Sequence, residues 1–218
     1  MAKAKKTPEY PTKDPYDYAD KVTRALVRRF IRLFANANLL PFDELNVLHG
    51  VRGLYEEVYA ILKEAFLRLA RKAYADRTGA PRTAPRVEKR ITERWLEEQL
   101  TAFSPTTKTV FRNDLWRRED LLFEAVMATG NVREELDAAL KALTRMVKQE
   151  VIEIVDTAAE AADKDNKVER VIWLTQLDAR VCTECAKLEG EIFKLEDVPR
   201  KPHRNCRCWR LPWPFEGD

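Results

Sequence analysis

The sequence predicts a mainly α-helical protein, an elongated bundle of long helices followed by a small C-terminal α+β module built around cysteine and histidine. Two observations lead to this prediction. Long stretches are rich in Ala, Leu, Glu, Lys and Arg, which favour helix, and the 218 residues include only 6 glycines. The 4 cysteines all lie between Cys182 and Cys208. We therefore divide the chain into an N-terminal arm (1–19), a helical body (20–163) and a C-terminal Cys/His module (164–218).

Apolar residues recur at helical spacing through most of the body. From Asp20 onward, the predicted helices carry apolar faces over Val22 to Phe34, Leu45 to Leu69, Val87 to Leu100, Trp116 to Val126 and Leu136 to Ile154. The third of these is expected to be one continuous helix. Asp43 is expected to cap the second helix, and Asn131 with Glu134 predicts a capping box for the last, which should end near Ala162.

The two ends of the chain differ from the body. Residues 1–19 contain prolines, lysines and tyrosines without regular periodicity, so we expect this arm to stay flexible until a partner binds it. Beyond Asp163 the alanine-rich pattern stops, and residues 171–175 and 192–195 predict two short strands. The C-terminal module is therefore expected to fold differently from the helices before it.

Composition excludes several classes of protein. The formal net charge of +3 is too small for a general nucleic-acid coat, so any DNA contact must come from local clusters. No apolar run reaches the length of a membrane span, and the polar residues 1–6 do not resemble a secretory signal. We therefore expect no membrane partner and a reducing cytosol, where disulfides are disfavoured.

The cysteine motif predicts a structural zinc site. A pair separated by two residues and a distant His-x-x-Cys-x-Cys supply five candidate ligands for a tetrahedral ion that needs four, namely Cys182, Cys185, His203, Cys206 and Cys208. The two-residue gap lets both thiolates of one turn face the ion, and the distant group closes the site. Such an ion contributes on the order of 10 kcal/mol to folding, which a small module cannot easily obtain from apolar burial. Which four ligands act is left open.

Other interpretations of the cysteines stay open from spacing alone. Two disulfides are possible in an oxidising medium, and reduced cysteines can simply pack in a core. A cysteine nucleophile with His203 as its base is a further alternative, but no Asn or Asp is clearly placed to orient that histidine. We therefore predict no catalytic residues and no cofactor other than zinc.

Basic residues cluster at two places. Near the C-terminus, a group without acidic neighbours could contact nucleic acid or a partner: Arg200, Lys201, Arg204, Arg207 and Arg210. Alternatively, these side chains pair with acidic residues of the same module, namely Glu184, Glu189, Glu191, Glu196 and Asp197. The first predicted helix carries Arg24, Arg28, Arg29 and Arg32, for which a solvated face is the simplest expectation.

A longer pattern surrounds the cysteines. The chain reads Trp173-x-Thr175-x-x-Asp178-x-Arg180-Val181-Cys182-x-x-Cys185-x-x-Leu188-x-Gly190, and later Pro202-His203-x-Asn205-Cys206-Arg207-Cys208. This pattern resembles the C-terminal motif of phage Mu F-like head morphogenesis proteins. Two details depart from the family: Arg204 stands where members usually have proline, and their Arg-Thr-Glu triplet has no clear counterpart. The motif positions are expected to define the fold of the module.

The resemblance implies a function in assembly rather than an enzyme. It implies a low-copy minor head (minor capsid) protein of a bacteriophage, associated with the portal vertex or the inner capsid. Expected partners are the phage portal protein and the major capsid protein, with copies arranged around the portal or shell, and possible further contact is with double-stranded DNA. The protein would be found in the virion, and in the host cytoplasm during assembly.

A second hypothesis comes from another class of protein. It is a zinc-containing nucleic-acid-binding protein of the host cytosol, in which the basic C-terminal cluster, with Trp209 and Trp213 beside it, would form the contact surface. Salt-dependent DNA binding by the isolated protein would favour this hypothesis over the assembly function.

Overall fold

A computed structural model describes residues 17–37, 39, 42–104, 106–176, 181–203, 206 and 208–214. Its helices are α1 (Asp17–Ala35), α2 (Glu44–Thr78), α3 (Pro85–Arg90), α4 (Glu93–Thr101), α5 (Phe111–Thr129), α6 (Val132–Asp165) and α7 (Thr183–Leu188). Its strands are β1 (Phe103–Ser104), β2 (Thr109–Val110), β3 (Arg170–Leu174), β4 (Ile192–Lys194) and β5 (Trp209–Trp213), with a 3-10 turn at Leu195–Asp197. The prediction of a mainly α-helical protein with a small C-terminal strand region is confirmed. Most of the predicted N-terminal arm lies outside the described residues.

Two long helices form the axis of the molecule. Helix α2 has 35 residues and α6 has 34, so each is about 50 Å long at a rise of about 1.5 Å per residue. They pack along each other, and α1 and α5 pack against both. Their apolar faces form one core, in which Phe30, Tyr55, Leu62, Phe66 and Leu143 are fully buried. This burial stabilises the helical body.

Helix ends follow the capping residues that the sequence indicated. The Asp43 carboxylate accepts a hydrogen bond from the backbone N–H of Asn46 at 3.1 Å, and α2 ends at Gly79 in the left-handed conformation. At the start of α6, the Asn131 side chain accepts from the backbone N–H of Glu134 at 3.4 Å and donates to its carboxylate at 2.7 Å. The predicted N-cap at Asn131 is thus confirmed. The Glu134 carboxylate does not complete a capping box, because the backbone N–H of Asn131 donates to the Thr129 hydroxyl at 3.1 Å instead. Helix α6 continues to Asp165.

The predicted third helix is wrong in one respect, because α3 and α4 are separate helices. The first ends at Arg90 with Ile91 as its C-cap. Thr92 caps the second, because its hydroxyl accepts a hydrogen bond from the backbone N–H of Trp95 at 3.0 Å. The carbonyl of Ile91 accepts from the Arg71 side chain of α2 at 3.1 Å. The apolar periodicity continues across the break because both short helices bury their apolar residues in the same core, as Val87 and Leu100 show.

Two further differences concern the start of α1 and a hairpin. Helix α1 begins at Asp17, slightly before the predicted start at Asp20. Strands β1 and β2 form a short antiparallel hairpin, with Phe103 opposite Val110, which the sequence pattern did not indicate. The Ser104 hydroxyl of this hairpin donates a hydrogen bond to the Glu153 carboxylate of α6 at 2.9 Å.

The C-terminal sheet has the order β4-β3-β5, and both pairs are antiparallel. Strands β3 and β4 confirm the two predicted strands, whereas β5 was not predicted. Pro212 lies within β5, and a proline argues against a central strand. The edge position of β5 accommodates it. Trp209, at the start of β5, packs against the helical core and joins the sheet to the body.

Candidate metal centre

The two halves of the Cys/His motif meet at one end of β3. Cys182 and Cys185 lie in the segment that follows this strand. Strand β5 is antiparallel to β3 and begins with Trp209 opposite Leu174, the last residue of β3. Cys208 therefore enters the sheet at the end of β3 that Cys182 and Cys185 leave. The unpredicted strand is what brings the distant cysteines together.

Backbone hydrogen bonds close the first cysteine loop onto β3. The N–H of Gly190 donates to the carbonyl of Trp173 at 2.9 Å, and the N–H of Trp173 donates to the carbonyl of Glu191 at 2.9 Å. Gly190 has a φ of 77°, in the left-handed region that glycine adopts without strain. The N–H of Thr175 donates to the Glu189 carboxylate at 2.5 Å. The loop is thereby fixed relative to the sheet.

Within this loop, Cys182 caps α7. Its sulfur accepts a hydrogen bond from the backbone N–H of Cys185 at 3.3 Å. The resulting turn places both sulfurs on the same side, as the two-residue gap predicted. Cys185 is buried, at 2% exposure, whereas Cys182 is only partly buried.

The candidate ligands gather around Cys185. Its sulfur lies 3.5 Å from the Nε2 atom of His203 and 3.5 Å from the sulfur of Cys206. Two groups of ligand atoms each lie within 4.8 Å of one another, and Cys185 belongs to both: Cys182, Cys185 and His203, and Cys185, Cys206 and Cys208. The structure thus brings all five predicted ligands to one place.

These distances suit a shared metal ion better than disulfides. A tetrahedral zinc with bonds of about 2.3 Å to sulfur separates two thiolates by about 3.8 Å. A disulfide needs its sulfurs about 2.05 Å apart, and no disulfide joins the four cysteines in the structure. The donor set of thiols and one imidazole is also the set that zinc prefers, so the residues present fit this ion.

The thiols strongly perturb one another. A hydrogen bond from the Cys208 thiol lowers the pKa of Cys206 to about 5, and burial raises the pKa of Cys185 to about 12. The same contact with Cys206 raises the pKa of Cys208 above its usual range. Neighbouring thiols cannot all ionise without a counter-charge, which a divalent cation would supply.

A buried indole adds to this environment. Trp173 is 1% exposed and packs with Cys185, Cys206 and Cys208 in one cluster. Among the described residues, its N–H has no hydrogen-bond acceptor. Metal-bound thiolates commonly accept hydrogen bonds from such neighbouring donors, so this orphaned donor is consistent with a metal centre.

Two members of the basic C-terminal cluster, Lys201 and Arg210, bind the helical body rather than acidic residues of their own module. The Lys201 ammonium lies 2.6 Å from the Asp156 carboxylate of α6, with only 11% and 18% of these side chains exposed. It also donates to the carbonyl of Cys206 at 3.2 Å. Arg210 lies 3.8 Å from Glu160 of α6. For these two cations, the expected pairing with acidic residues of the module is therefore wrong.

The other members of the cluster provide less information. Arg200 is exposed, and Arg204 and Arg207 lie outside the described residues. Glu184, one of the expected acidic partners, instead pairs with Lys187 at 2.9 Å. Of the three predicted contact residues that the structure describes, only Arg200 presents an exposed charge.

We expect Lys201→Met to loosen the module from α6. The substitution removes the charged hydrogen bonds of Lys201 and leaves the Asp156 carboxylate without this partner, which should lower the free energy of unfolding by about 2 kcal/mol. Urea unfolding monitored by tryptophan fluorescence measures the loss. Lys187→Met is the matched control, because its ion pair is 65% exposed on both sides and should change stability by less than about 0.5 kcal/mol. Equal effects of the two substitutions would show that the Lys201 contacts do not hold the module to α6.

Comparison with protein families tests the resemblance seen in the cysteine motif. Residues 119–210 match the family of Phage Mu protein F like proteins. The predicted resemblance is confirmed for this Mu F-like region, which includes all five candidate ligands. Residues 1–118 lie outside the match. No curated protein and no solved structure gave a match.

The Mu F-like region does not coincide with the C-terminal module. It begins within α5, includes the whole of α6 and ends within β5. The domain boundary that the sequence predicted at residue 163 therefore falls inside the Mu F-like region. In the structure, Lys201 and Arg210 of the C-terminal module bind α6 across this boundary.

None of the helices in the described ranges combines the length and apolar character that a membrane span requires.

Proposed function

We propose that this protein is a minor head protein of a bacteriophage, a structural part of head assembly with no catalytic function. The observation that carries this proposal is the match of residues 119–210 to the Phage Mu protein F like family. The protein would act in the host cytoplasm during assembly and remain in the virion, at the portal vertex or the inner capsid.

The architecture suits a docking component. Helices α2 and α6 form a body about 50 Å long, and the sheet is held to α6 by the Lys201 and Arg210 ion pairs. A partner that binds either part would therefore meet a preorganised surface, which reduces the entropy lost on binding. We propose the portal protein or the major capsid protein as this partner, with several copies arranged around the portal or shell.

We further propose that the Cys/His cluster holds one structural zinc ion. Cys185, which belongs to both groups of close ligand atoms, would supply one ligand, and three of Cys182, His203, Cys206 and Cys208 would supply the others. A site closed by four protein ligands leaves no position for a reactive water molecule. This is the physical argument against a zinc-dependent hydrolase.

A DNA contact is a separate part of the proposal. In α1, the side chains of Arg24, Arg28 and Arg32 are exposed on the helix surface and could meet packaged DNA. At the C-terminal edge, Lys201 and Arg210 are already bound to α6. The structure therefore gives the alternative function, a cytosolic zinc protein that binds nucleic acid through this edge, little support.

The deciding experiment combines metal analysis with co-purification. The full chain would be expressed under reducing conditions together with the portal and major capsid proteins of the same phage. We expect one zinc ion per chain and a stable complex with one of the two head proteins. Absence of metal would favour packed thiols, and tight salt-sensitive DNA binding without any head-protein complex would favour the nucleic-acid hypothesis.

A further inference from the structure

A small cavity lies beside α6, under the β1–β2 hairpin. It has a volume of ≈ 150 Å³, and its walls include Gln99, Phe103, Ser104, Phe111, Glu150 and Glu153. The aromatic rings make part of the wall apolar, whereas the two carboxylates make another part acidic. This amphipathic lining is separate from the Cys/His cluster.

Glu150 is buried in this cavity without a partner. Only 7% of the residue is exposed, and among the described residues no hydrogen bond or ion pair to its carboxylate is found. Glu153, one helical turn away, differs because its carboxylate accepts hydrogen bonds from Ser104 and Gln149, each at 2.9 Å. A buried carboxylate without such partners is unfavourable unless it is neutralised by a proton or by a cation.

The electrostatics of the cavity favour a cationic guest. Burial, and to a smaller extent the nearby Glu153 carboxylate, raise the pKa of Glu150 to about 8. With this raised pKa, Glu150 carries a proton near neutral pH. A cation placed between the two carboxylates would relieve both the burial cost and the repulsion, and Glu150 would ionise.

The size and the lining distinguish between kinds of cation. A cavity of ≈ 150 Å³ is several times the volume of about 30 Å³ that one water molecule occupies in the liquid, so a bare metal ion would leave most of it unfilled. The rings of Phe103 and Phe111 offer no oxygen ligands to a hard metal ion. They suit instead the aliphatic stem of a basic side chain, whose charged end would meet the carboxylates.

An exposed aromatic residue in the cavity wall indicates that a protein supplies this cation. Phe103 is 63% exposed although it is a large aromatic residue, and exposed aromatic side chains of this kind are typical anchors in protein interfaces. It lies in β1, directly before Ser104, which binds Glu153. A docking partner could thus cover Phe103 and insert a basic side chain beside it.

We propose that this cavity receives a lysine or arginine side chain of the protein on which the molecule docks. The inserted cation lies between Glu150 and Glu153, and its stem packs against Phe103 and Phe111. This inference rests on the proposed function as a docking component, but the chemistry of the cavity can be tested without any partner.

The first test uses n-butylammonium chloride, an analogue of a lysine side chain, and the full chain labelled at isoleucine methyl groups. Ile154 lines the cavity, whereas Ile172 lies in β3 and serves as the distant reference. We expect a saturable shift of the Ile154 methyl signal at millimolar concentrations, with sodium chloride added to constant ionic strength, and no shift at Ile172.

Variants decide whether the carboxylate is responsible. Glu150→Gln should weaken butylammonium binding at least tenfold, whereas Glu124→Gln, an equal change of charge at an exposed position of α5, should leave it unchanged. No binding by the unmodified chain, or equal binding by both variants, would overturn the proposal. Magnesium or calcium chloride that displaces butylammonium at micromolar concentration would also overturn it, in favour of a metal site.

A second measurement shows whether the proposal for the cavity or the proposed function of the protein is wrong. In co-purification with the head proteins, Glu150→Gln should weaken the complex at least tenfold and Glu124→Gln should not. Butylammonium binding with a complex that is insensitive to Glu150→Gln would refute the docked side chain and leave a site for free amines. Butylammonium binding without any head-protein complex would refute the proposed function instead.

Discussion

Replacing Cys185 with serine is expected to unfold the β4-β3-β5 sheet while α1 to α6 remain helical. Cys185 is the one residue that belongs to both groups of candidate ligands, so its loss should abolish zinc binding and remove on the order of 10 kcal/mol from the stability of the module. The helical body has its own buried core, which includes Phe66 and Leu143. Hydrogen exchange should therefore increase in residues 170–213, with little change in circular dichroism at 222 nm.

The matched control is Cys182→Ser. Cys182 belongs to only one ligand group and is partly exposed, and Cys208 could take its place, so this variant should retain zinc with reduced affinity. Treating the unmodified protein with a zinc chelator should reproduce the effect of Cys185→Ser. Global loss of helix in Cys185→Ser would refute the independence of the helical body, and unchanged exchange in the sheet would refute the metal-dependent module.

Asp163→Ala is expected to give the largest destabilisation within the helical body. Two oxygens of Asp163 accept hydrogen bonds from the Arg77 guanidinium at 2.6 and 2.8 Å, and only 12% of Arg77 and 4% of Asp163 are exposed. The pair joins the end of α2 to the end of α6. Removing one partner leaves a buried charge uncompensated, which should lower the free energy of unfolding by about 3–5 kcal/mol in urea titrations.

Two comparisons make this prediction specific. Asp165→Ala removes an ion pair with Arg90 whose side chains are 42% and 36% exposed, together with a hydrogen bond from the Tyr74 hydroxyl at 2.7 Å, so its cost should be about 2 kcal/mol. The double variant Arg77→Met/Asp163→Leu removes both buried charges and should recover much of the loss caused by Asp163→Ala. If Asp163→Ala costs no more than Asp165→Ala, the buried pair does not stabilise the fold in the way argued here.

The sequence predicted which residues form the candidate metal centre, but not how the fold brings them together. The spacing of the cysteines and His203 indicated five candidate ligands. In particular, the two-residue gap between Cys182 and Cys185 lets both sulfurs of one turn face the same ion. The meeting of the two halves depends on β5, whose pairing with β3 joins Leu174 to Trp209. Such a contact between residues distant in the chain leaves only a weak local signal, the alternation of Trp209, Leu211 and Trp213, which Pro212 obscures.

The position of Glu150 shows the same limit in the helical body. In the sequence it stands three residues after Val147 and four before Ile154, so helical periodicity places it on the apolar face of α6 but does not show which segment covers it. Its burial depends on the β1–β2 hairpin and on Phe111, which lie far from it in the chain. Lys201 is similar, because the sequence indicated acidic partners nearby and the structure supplies Asp156 of α6.

The sequence by itself determined the helices, the capping residues at Asp43 and Asn131, and the identity of the candidate metal ligands. These features depend on spacing and on hydrogen bonds between residues a few positions apart. Tertiary structure alone decided the third strand of the sheet and the partners of Lys201 and Asp163. In each of these cases the deciding contact joins segments that are distant in the chain. The free energy of such a contact depends on its burial, which a local sequence pattern does not predict.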